Sequence, residues 1–179
     1  MPKIDVRPSV AADLDQILAI EAHYTTQYAW QIELQKDEDG LITAYFRQNR
    51  LPRSIRVEYP RTKAIMVEDW SRCDGILVGS MDETIVGYIV LSLQKAPQTS
   101  WVTDLVVHRR LRRQGVGGVL LLAAQDWSRT KGANRMVLEM QSKNYPAIQM
   151  AKKFGFEFCG FQDLYYHNRD LALFFCRPI

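Results

Sequence analysis

Apolar and polar residues alternate with a period of two along most of this chain, and the pattern changes to helical spacing in only a few places. Lys3 to Arg7 alternates and reads as a strand that Pro8 ends. Asp13 then caps a helix whose apolar positions, Leu14, Ile17, Leu18 and Ile20, fall at helical spacing. Tyr28, Trp30, Ile32 and Leu34 return to period two, Lys36-Asp37-Glu38-Asp39-Gly40 is a turn signal, and Ile42, Ala44 and Phe46 alternate again. That sequence predicts a β-hairpin over Thr26 to Arg47. Arg50 to Arg61, with Pro52 and Pro60 among its arginines, reads as an extended excursion over the surface.

The second half is more sharply patterned. Ile76-Leu77-Val78 and Ile85 to Leu93 read as strands joined at Met81-Asp82-Glu83-Thr84, Pro97 breaks the chain, and Trp101 to Val107 forms another strand. Val119, Leu120, Ala123, Ala124 and Trp127 then share one face of a helix that Gly132 ends. Arg135 to Gln141 is a strand with Met136, Leu138 and Met140 on one face and Val137, Glu139 and Gln141 on the other. Tyr145-Pro146 opens a short helix through Ile148, Met150 and Ala151 to Phe154, and Gly155 stops it. Phe156 to Tyr166 and Leu171 to Cys176 are the last strands. This order predicts an α+β fold, a sheet held between helices.

Composition narrows the function classes. A chain of 179 residues with 47% apolar content can bury a real core as one domain, 1–179. No apolar run reaches the ~18–20 residues of a membrane span, and Met1-Pro2-Lys3-Ile4-Asp5 does not read as a signal peptide. Cys73, Cys159 and Cys176 are far apart and only three histidines are present, so neither a metal site nor a disulfide framework is expected, and the protein is expected in the cytoplasm. A net charge of +3 is too small to imply nucleic acid.

Much of that positive charge sits in one junction, between the Trp101 strand and the Val119 helix. Arg109, Arg110, Arg112 and Arg113 surround Gln114-Gly115-Val116-Gly117-Gly118. Glycines permit a left-handed turn and bring a ligand close to the backbone, and the helix start offers unpaired N–H groups and a positive dipole end. The junction is a seat for phosphate. It lacks the Gly-Lys-Ser/Thr ending of a P-loop and the G-x-G-x-x-G spacing of a dinucleotide fingerprint.

Arg112-Arg113-Gln114-Gly115-Val116-Gly117 directly after an apolar strand resembles the acyl-CoA pyrophosphate loop of the GNAT superfamily of N-acetyltransferases. Leu138-Glu139 to Asn144, Ala147-Ile148 and Gly155-Phe156 resemble the superfamily's second signature, in the expected order. The resemblance implies a mixed, mostly antiparallel central sheet flanked by helices, with the N-terminal hairpin as an addition. It implies acetyl-CoA as cosubstrate and no metal. It also implies that Arg112, Arg113, Gln114, Gly115, Val116, Gly117 and Gly118 hold the pyrophosphate and that Leu105, Val106 and Val107 hold the pantetheine arm. The N–H near Val106 would face the thioester oxygen, and Asn144 would cap the pantetheine, cap the following helix, or both. Phe158-Cys159-Gly160-Phe161, Asp170 to Phe174 and the Leu51 to Pro60 stretch are similar to streptothricin acetyltransferases. Glu139 and Tyr165-Tyr166 are similar to acetyltransferases of ribosomal-protein N-termini. The acceptor is therefore an amine, on a small molecule or on a peptide N-terminus.

Acyl transfer to an ammonium needs a base. Glu139 and Asp104 each interrupt an apolar strand, where an unpaired charge is costly, so each has either a catalytic role or an arginine partner. The tyrosine that many relatives use as acid matches Ala151, so either Tyr166 or Tyr165 substitutes or the thiolate leaves unaided, and Ala151→Tyr is expected to leave turnover similar or higher. Tyr28 and Trp30 are expected to line a site for a small cationic acceptor between the hairpin and the last strands. Arg47, Arg50, Arg53, Arg56 and Arg61 are expected to face solvent, because burying five unpaired guanidinium groups is expensive. The alternatives are a peptide N-terminal acetyltransferase and a non-catalytic acyl-CoA-binding module. Neither nucleic acid nor a membrane is an expected partner, and a homodimer is open.

Overall fold

The computed structural model of the chain describes residues 3–94 and 97–179, so the signal-peptide reading of Met1 and Pro2 lies outside the described residues. Strands β1 (Asp5–Pro8), β4 (Gly75–Met81), β5 (Thr84–Gln94), β6 (Thr99–Val107), β7 (Arg135–Gln141), β8 (Glu157–Gln162) and β9 (Ala172–Pro178) form one sheet in the order β1-β4-β5-β6-β7-β9-β8. Neighbours run antiparallel except β6 and β7, which are parallel and joined by helix α3 (Val116–Thr130). The alternation of Arg135–Gln141 produces two buried faces: Met136, Leu138 and Met140 join α3 and helix α4 (Tyr145–Lys153) in the larger core. On the opposite face Ile76, Val78, Tyr88 and Val106 pack with Ile17 and Ile20 around helix α1 (Leu14–Ala19).

The N-terminal third differs from the sequence reading. Strands β2 (Tyr24–Lys36) and β3 (Ile42–Val57) form a separate two-stranded sheet, longer than Thr26 to Arg47. Arg50 to Val57 continues β3 across an irregularity opposite Thr26 and Tyr28, which accommodates Pro52. Helix α2 (Lys63–Trp70) follows, its N-terminus capped by the Thr62 hydroxyl, which accepts from the Ile65 N–H. Nothing in its mixed polar and apolar order marks a stripe, and only Met66 and Trp70 lean on the core. Asp13 lies in a short helical turn ahead of α1, where its carboxylate accepts from Arg7 and from the Val10 N–H.

The base of the hairpin is bound to the last strands. The Trp30 N–H donates to the Ser142 carbonyl at 2.9 Å. Trp30 packs against Phe158 and Phe175, and Phe46 against Phe158 and Phe161.

Two irregularities shape the middle of the sheet. The β5–β6 register shifts between Val90 and Leu91, leaving Thr103 as a bulge between Val102 and Asp104. The β6–β7 pairing stops at Val102 opposite Leu138, although both strands continue. Beyond that point they splay, and a gap opens in the sheet between Thr103–Val107 and Glu139–Gln141.

Candidate active site

The splay opens a cavity that crosses the sheet, about 500 Å³ counting the part open to solvent. On one side it is lined by Val102, Leu105, Leu138, Met140, Ala147 and Met150. On the other it meets Tyr59, Pro60, Thr103, Glu139, Gln141 and Tyr166, with Asn144 at the rim. The Asn144 side chain also accepts from the Ala147 N–H at 3.2 Å, so one residue both starts α4 and borders the cavity.

Strand parity decides which backbone groups face this gap. The His108 N–H donates to the Val86 carbonyl, and Val106 lies opposite Tyr88 in continuous antiparallel register. Bonded groups alternate every second residue along such a ladder, so Val106 is committed to β5 while Leu105 and Val107 turn toward β7. The Val106 side chain is also buried in the core around α1. The N–H groups near Val106 that turn toward the gap are therefore those of Leu105 and Val107, while Val106's own pairs with β5.

At the mouth of the gap lies the glycine junction. Arg113 and Gly115 both take left-handed backbone conformations, with φ of 65° and 94°. In the first turn of α3 the Gly118 and Val119 N–H groups bond to the Gly115 carbonyl, and the earlier N–H groups have no intrahelical acceptor. A Cβ at Gly117 would meet only ordinary contacts, the nearest being the Met150 sulfur at 3.4 Å. A Cβ at Gly118 would lie 2.6 Å from the Phe154 ring, so this glycine serves the packing of α3 on α4 rather than ligand approach. Val116 is buried in the core and contributes only its backbone. The Gln114 amide donates to the Arg110 carbonyl. Arg112 is not a free cation: it donates to the carbonyls of Val107, His23 and Glu21, and burial lowers its pKa. Arg109, Arg110 and Arg113 are exposed around the turn. Left-handed turn, open N–H groups and three exposed cations fit a pyrophosphate.

The two candidate carboxylates share one arginine. Arg61 donates to Glu139 Oε1 at 2.8 Å, and its Nε lies 3.4 Å from Asp104 Oδ1 and its Nη1 3.4 Å from Asp69 Oδ2. Its side chain is only 19% exposed, while those of Glu139 and Asp104 are 2% and 6% exposed. The expected solvent-facing position of Arg61 is therefore wrong: it is buried with partners, which removes the objection to burial. Arg47, Arg50, Arg53 and Arg56 are exposed as expected.

The cluster has further donors. Asp104 accepts from the Tyr59 hydroxyl and from the Thr103 hydroxyl, and Glu139 Oε2 accepts from the Tyr165 hydroxyl at 2.8 Å. Burial raises the Glu139 pKa above the usual carboxylate range, against the lowering effect of Arg61. Burial and the Glu139 charge push Tyr165 up to about 12, and burial pushes Tyr166 higher still. Both phenols therefore hold their protons at neutral pH. A second hollow of about 370 Å³ lies on the α1–α2 side, between Ile17, Met66, Trp70 and Tyr88, with Arg61 and Asp104 at its end.

Two other expectations are corrected by placement. Tyr28 stacks on Tyr145 with centroids 4.6 Å apart, and Trp30 lies against Phe158 and Phe175 beneath Lys152. Both anchor the hairpin and neither lines the two cavities. Tyr165 and Tyr166 belong to the turn after β8 rather than to a strand. Ala151 is fully buried in the larger core, one turn beyond Ala147, and Ala147 and Met150 are the α4 residues that line the cavity.

The family profile described as Acetyltransferase (GNAT) family matches residues 24–156, and the chain belongs to that family. Acetyl-CoA is the cosubstrate of the family, and among the described residues no cluster of side chains suits a metal. The chain is 33% identical over 93 residues to a streptothricin acetyltransferase of Streptomyces lavendulae, covering 52% of this chain and 49% of that protein. It is 32% identical over 90 residues to the L-amino acid N-acetyltransferase AaaT of Escherichia coli K12, covering 47% and 54%. The chain thus spans about half the length of the curated relatives it matches. Among solved structures, nourseothricin acetyltransferase aligns with a TM-score of 0.82 at 24% identity over 98% of both chains. A streptothricin acetyltransferase-like protein from Bacillus anthracis, solved with acetyl coenzyme A, aligns at 0.76 and 20% identity over 99% and 100%. These two likenesses concern the fold. Among the described residues no helix is long and apolar enough to cross a membrane.

Proposed function

We propose that this chain transfers the acetyl group of acetyl-CoA directly to the primary amine of a small cationic molecule. The observation that carries this reading is the charge gathered around Arg61, between the gap and the hollow on the α1–α2 side. Three carboxylates, Asp69, Asp104 and Glu139, share the single guanidinium of Arg61. The excess negative charge, partly desolvated and walled by Tyr59, Tyr165 and Tyr166, suits an ammonium.

Bound acetyl-CoA supplies an activated acyl carbonyl and a thiolate able to leave. Glu139 Oε1 or Oε2 takes the proton of the attacking ammonium, and a carboxylate with a raised pKa is better matched to that task at neutral pH. Asp104 stabilises the positive charge that develops on the amine nitrogen as it attacks the carbonyl. The slot-facing N–H of Leu105 is the backbone donor where negative charge builds on the acyl oxygen. Tyr166, protonated and lining the same cavity, can return a proton on the leaving side. Arg113, Gln114, Gly115, Val116 and Gly117 would hold the pyrophosphate through their N–H groups.

The names of the two curated relatives, acting on streptothricin and on L-amino acids, support a small amine acceptor. So does the roof over the carboxylates, formed by Tyr59–Arg61 and the Tyr165–Tyr166 turn, where a peptide reading needs a groove open at both ends. The test is thiol release from acetyl-CoA across small amines, amino acids, streptothricin and peptides with free N-termini. Faster acetylation of a peptide than of any small amine overturns the small-molecule reading, and no thiol release with any acceptor favours a binding module.

A further inference from the structure

Glu139 presents a physical problem that the proposed base role alone does not solve. Its side chain is 2% exposed, and it sits in mid-strand between two apolar faces. Left alone there, a carboxylate keeps its proton and cannot act as a base. Four groups face it. Arg61, from the segment between β3 and α2, donates to Oε1 at 2.8 Å. Tyr165, from the turn after β8, donates to Oε2 at 2.8 Å. Tyr166 neighbours it from the same turn, and Asp104 from β6 opposes its charge. Only Arg61 is a cation, and only Arg61 touches both Glu139 and Asp104.

We infer that Arg61 is a positioning residue for the reaction: through its ion pairs it keeps Glu139 a carboxylate in a buried site and fixes the direction of Oε1. The inference rests on Glu139 being the base.

The local chain supports the role. Pro60 keeps Tyr59 out of the helical region, and the chain bends at Pro60 and Arg61, so that Tyr59 and Arg61 both reach the carboxylates. Arg61 is further held by Asp69 of α2, so a third element anchors the guanidinium. A fork of fixed N–H groups can serve two carboxylates at once, which a single point of attachment could not. Asp104 works against ionisation of Glu139, and Arg61 outweighs it by contacting both.

The experiment follows Glu139 in two ways, in wild type, Arg61→Met, Arg61→Lys and Asp104→Asn. Carbon NMR titration of the Glu139 carboxyl in the full chain reads the proton directly, without turnover. The pH profile of kcat/KM for an accepted amine reads its consequence. In Arg61→Met the titration and the acid limb are expected to move up together by about one pH unit, a tenfold change in proton affinity. Arg61→Lys restores most of the shift, and Asp104→Asn moves the titration down. An unchanged Glu139 titration in a folded Arg61→Met protein overturns the inference, as does, should that variant not fold, a titration that fails to move down in Asp104→Asn. A shifted titration with an unmoved acid limb leaves Arg61 controlling Glu139 but removes Glu139 as the base, so the two readings fail separately.

Discussion

The glycine junction and the Arg61 cluster both border the gap, through Met150 beside Gly117 and through Glu139, and are built on opposite plans. At the junction the recognising groups are backbone N–H groups, left open by a left-handed turn and a helix start. The cluster uses side chains from the Tyr59–Arg61 segment, α2, β6, β7 and the turn after β8, and every one of them already has a partner. A site for a ligand that returns unchanged in kind can be an open cradle. A site that must move a proton instead holds charges in balance, and a bound amine has to join that balance.

This contrast is broken most severely at Glu139. Glu139→Gln is expected to lower kcat by about 10²–10⁴-fold while calorimetry shows acetyl-CoA affinity within about twofold of wild type. Full activity in that variant would remove the base from the cluster. In wild type, kcat/KM is expected to fall as pH drops through the raised Glu139 pKa, because the protonated form cannot accept the amine proton. The inflection should lie above the range of an exposed carboxylate.

The next largest effect is at the junction. Gly117→Asp has room for its Cβ, so its melting temperature should stay close to wild type. Its negative charge at the N–H groups should weaken acetyl-CoA binding by at least about tenfold, or ~1.4 kcal/mol. Unchanged affinity would move the pyrophosphate elsewhere.

Gly118→Ala should do the reverse. Its Cβ meets Phe154, and forced repacking of this kind costs about 1–3 kcal/mol, read as a lower midpoint in chemical denaturation, with acetyl-CoA affinity per folded molecule retained. The smallest expected difference separates neighbouring arginines. Arg112→Ala should lower stability, since three carbonyls lose their donor, whereas exposed Arg113→Ala should weaken acetyl-CoA a few-fold at low salt and less at high salt. Equal behaviour of the two would contradict the different placements described here.

How far each region was legible follows from the range of its interactions. The strand–glycine–helix junction is made by neighbours in sequence, so residue types and spacing expose it directly. The two strands that hold Asp104 and Glu139 were legible for the same reason: alternation marks both residues as charges in apolar surroundings. What spacing does not carry is the partner. Arg61 lies 78 residues from Glu139, among several other arginines, and only the splay of β6 from β7 makes it different. A usable signal existed in the two lone carboxylates, which require a cation, and in Pro60, which stiffens the chain beside one candidate.

Val106 and Ala151 teach a different limit. Both were placed by correspondence with a motif, which names a neighbourhood and not the direction in which a group points. Ladder parity turns Val106 toward β5, and helical phase turns Ala151 into the core. Helix α2 escaped because its order of residues has no apolar stripe and its stability depends on a cap and on distant packing.

The docking of the hairpin on the last strands has a consequence for the order of events during synthesis. Trp30 and Phe46 leave the ribosome roughly a hundred residues before Phe158 and Phe175, which cover them, so at about 5–20 residues per second they wait on the order of ten seconds. Throughout that interval the hairpin is a long two-stranded ribbon with its aromatic face uncovered, a form that is marginal in water. A nascent chain of this protein is therefore most exposed to misassociation before its final strands emerge, and a stall or truncation upstream of β8 leaves the earliest-made aromatics without their cover.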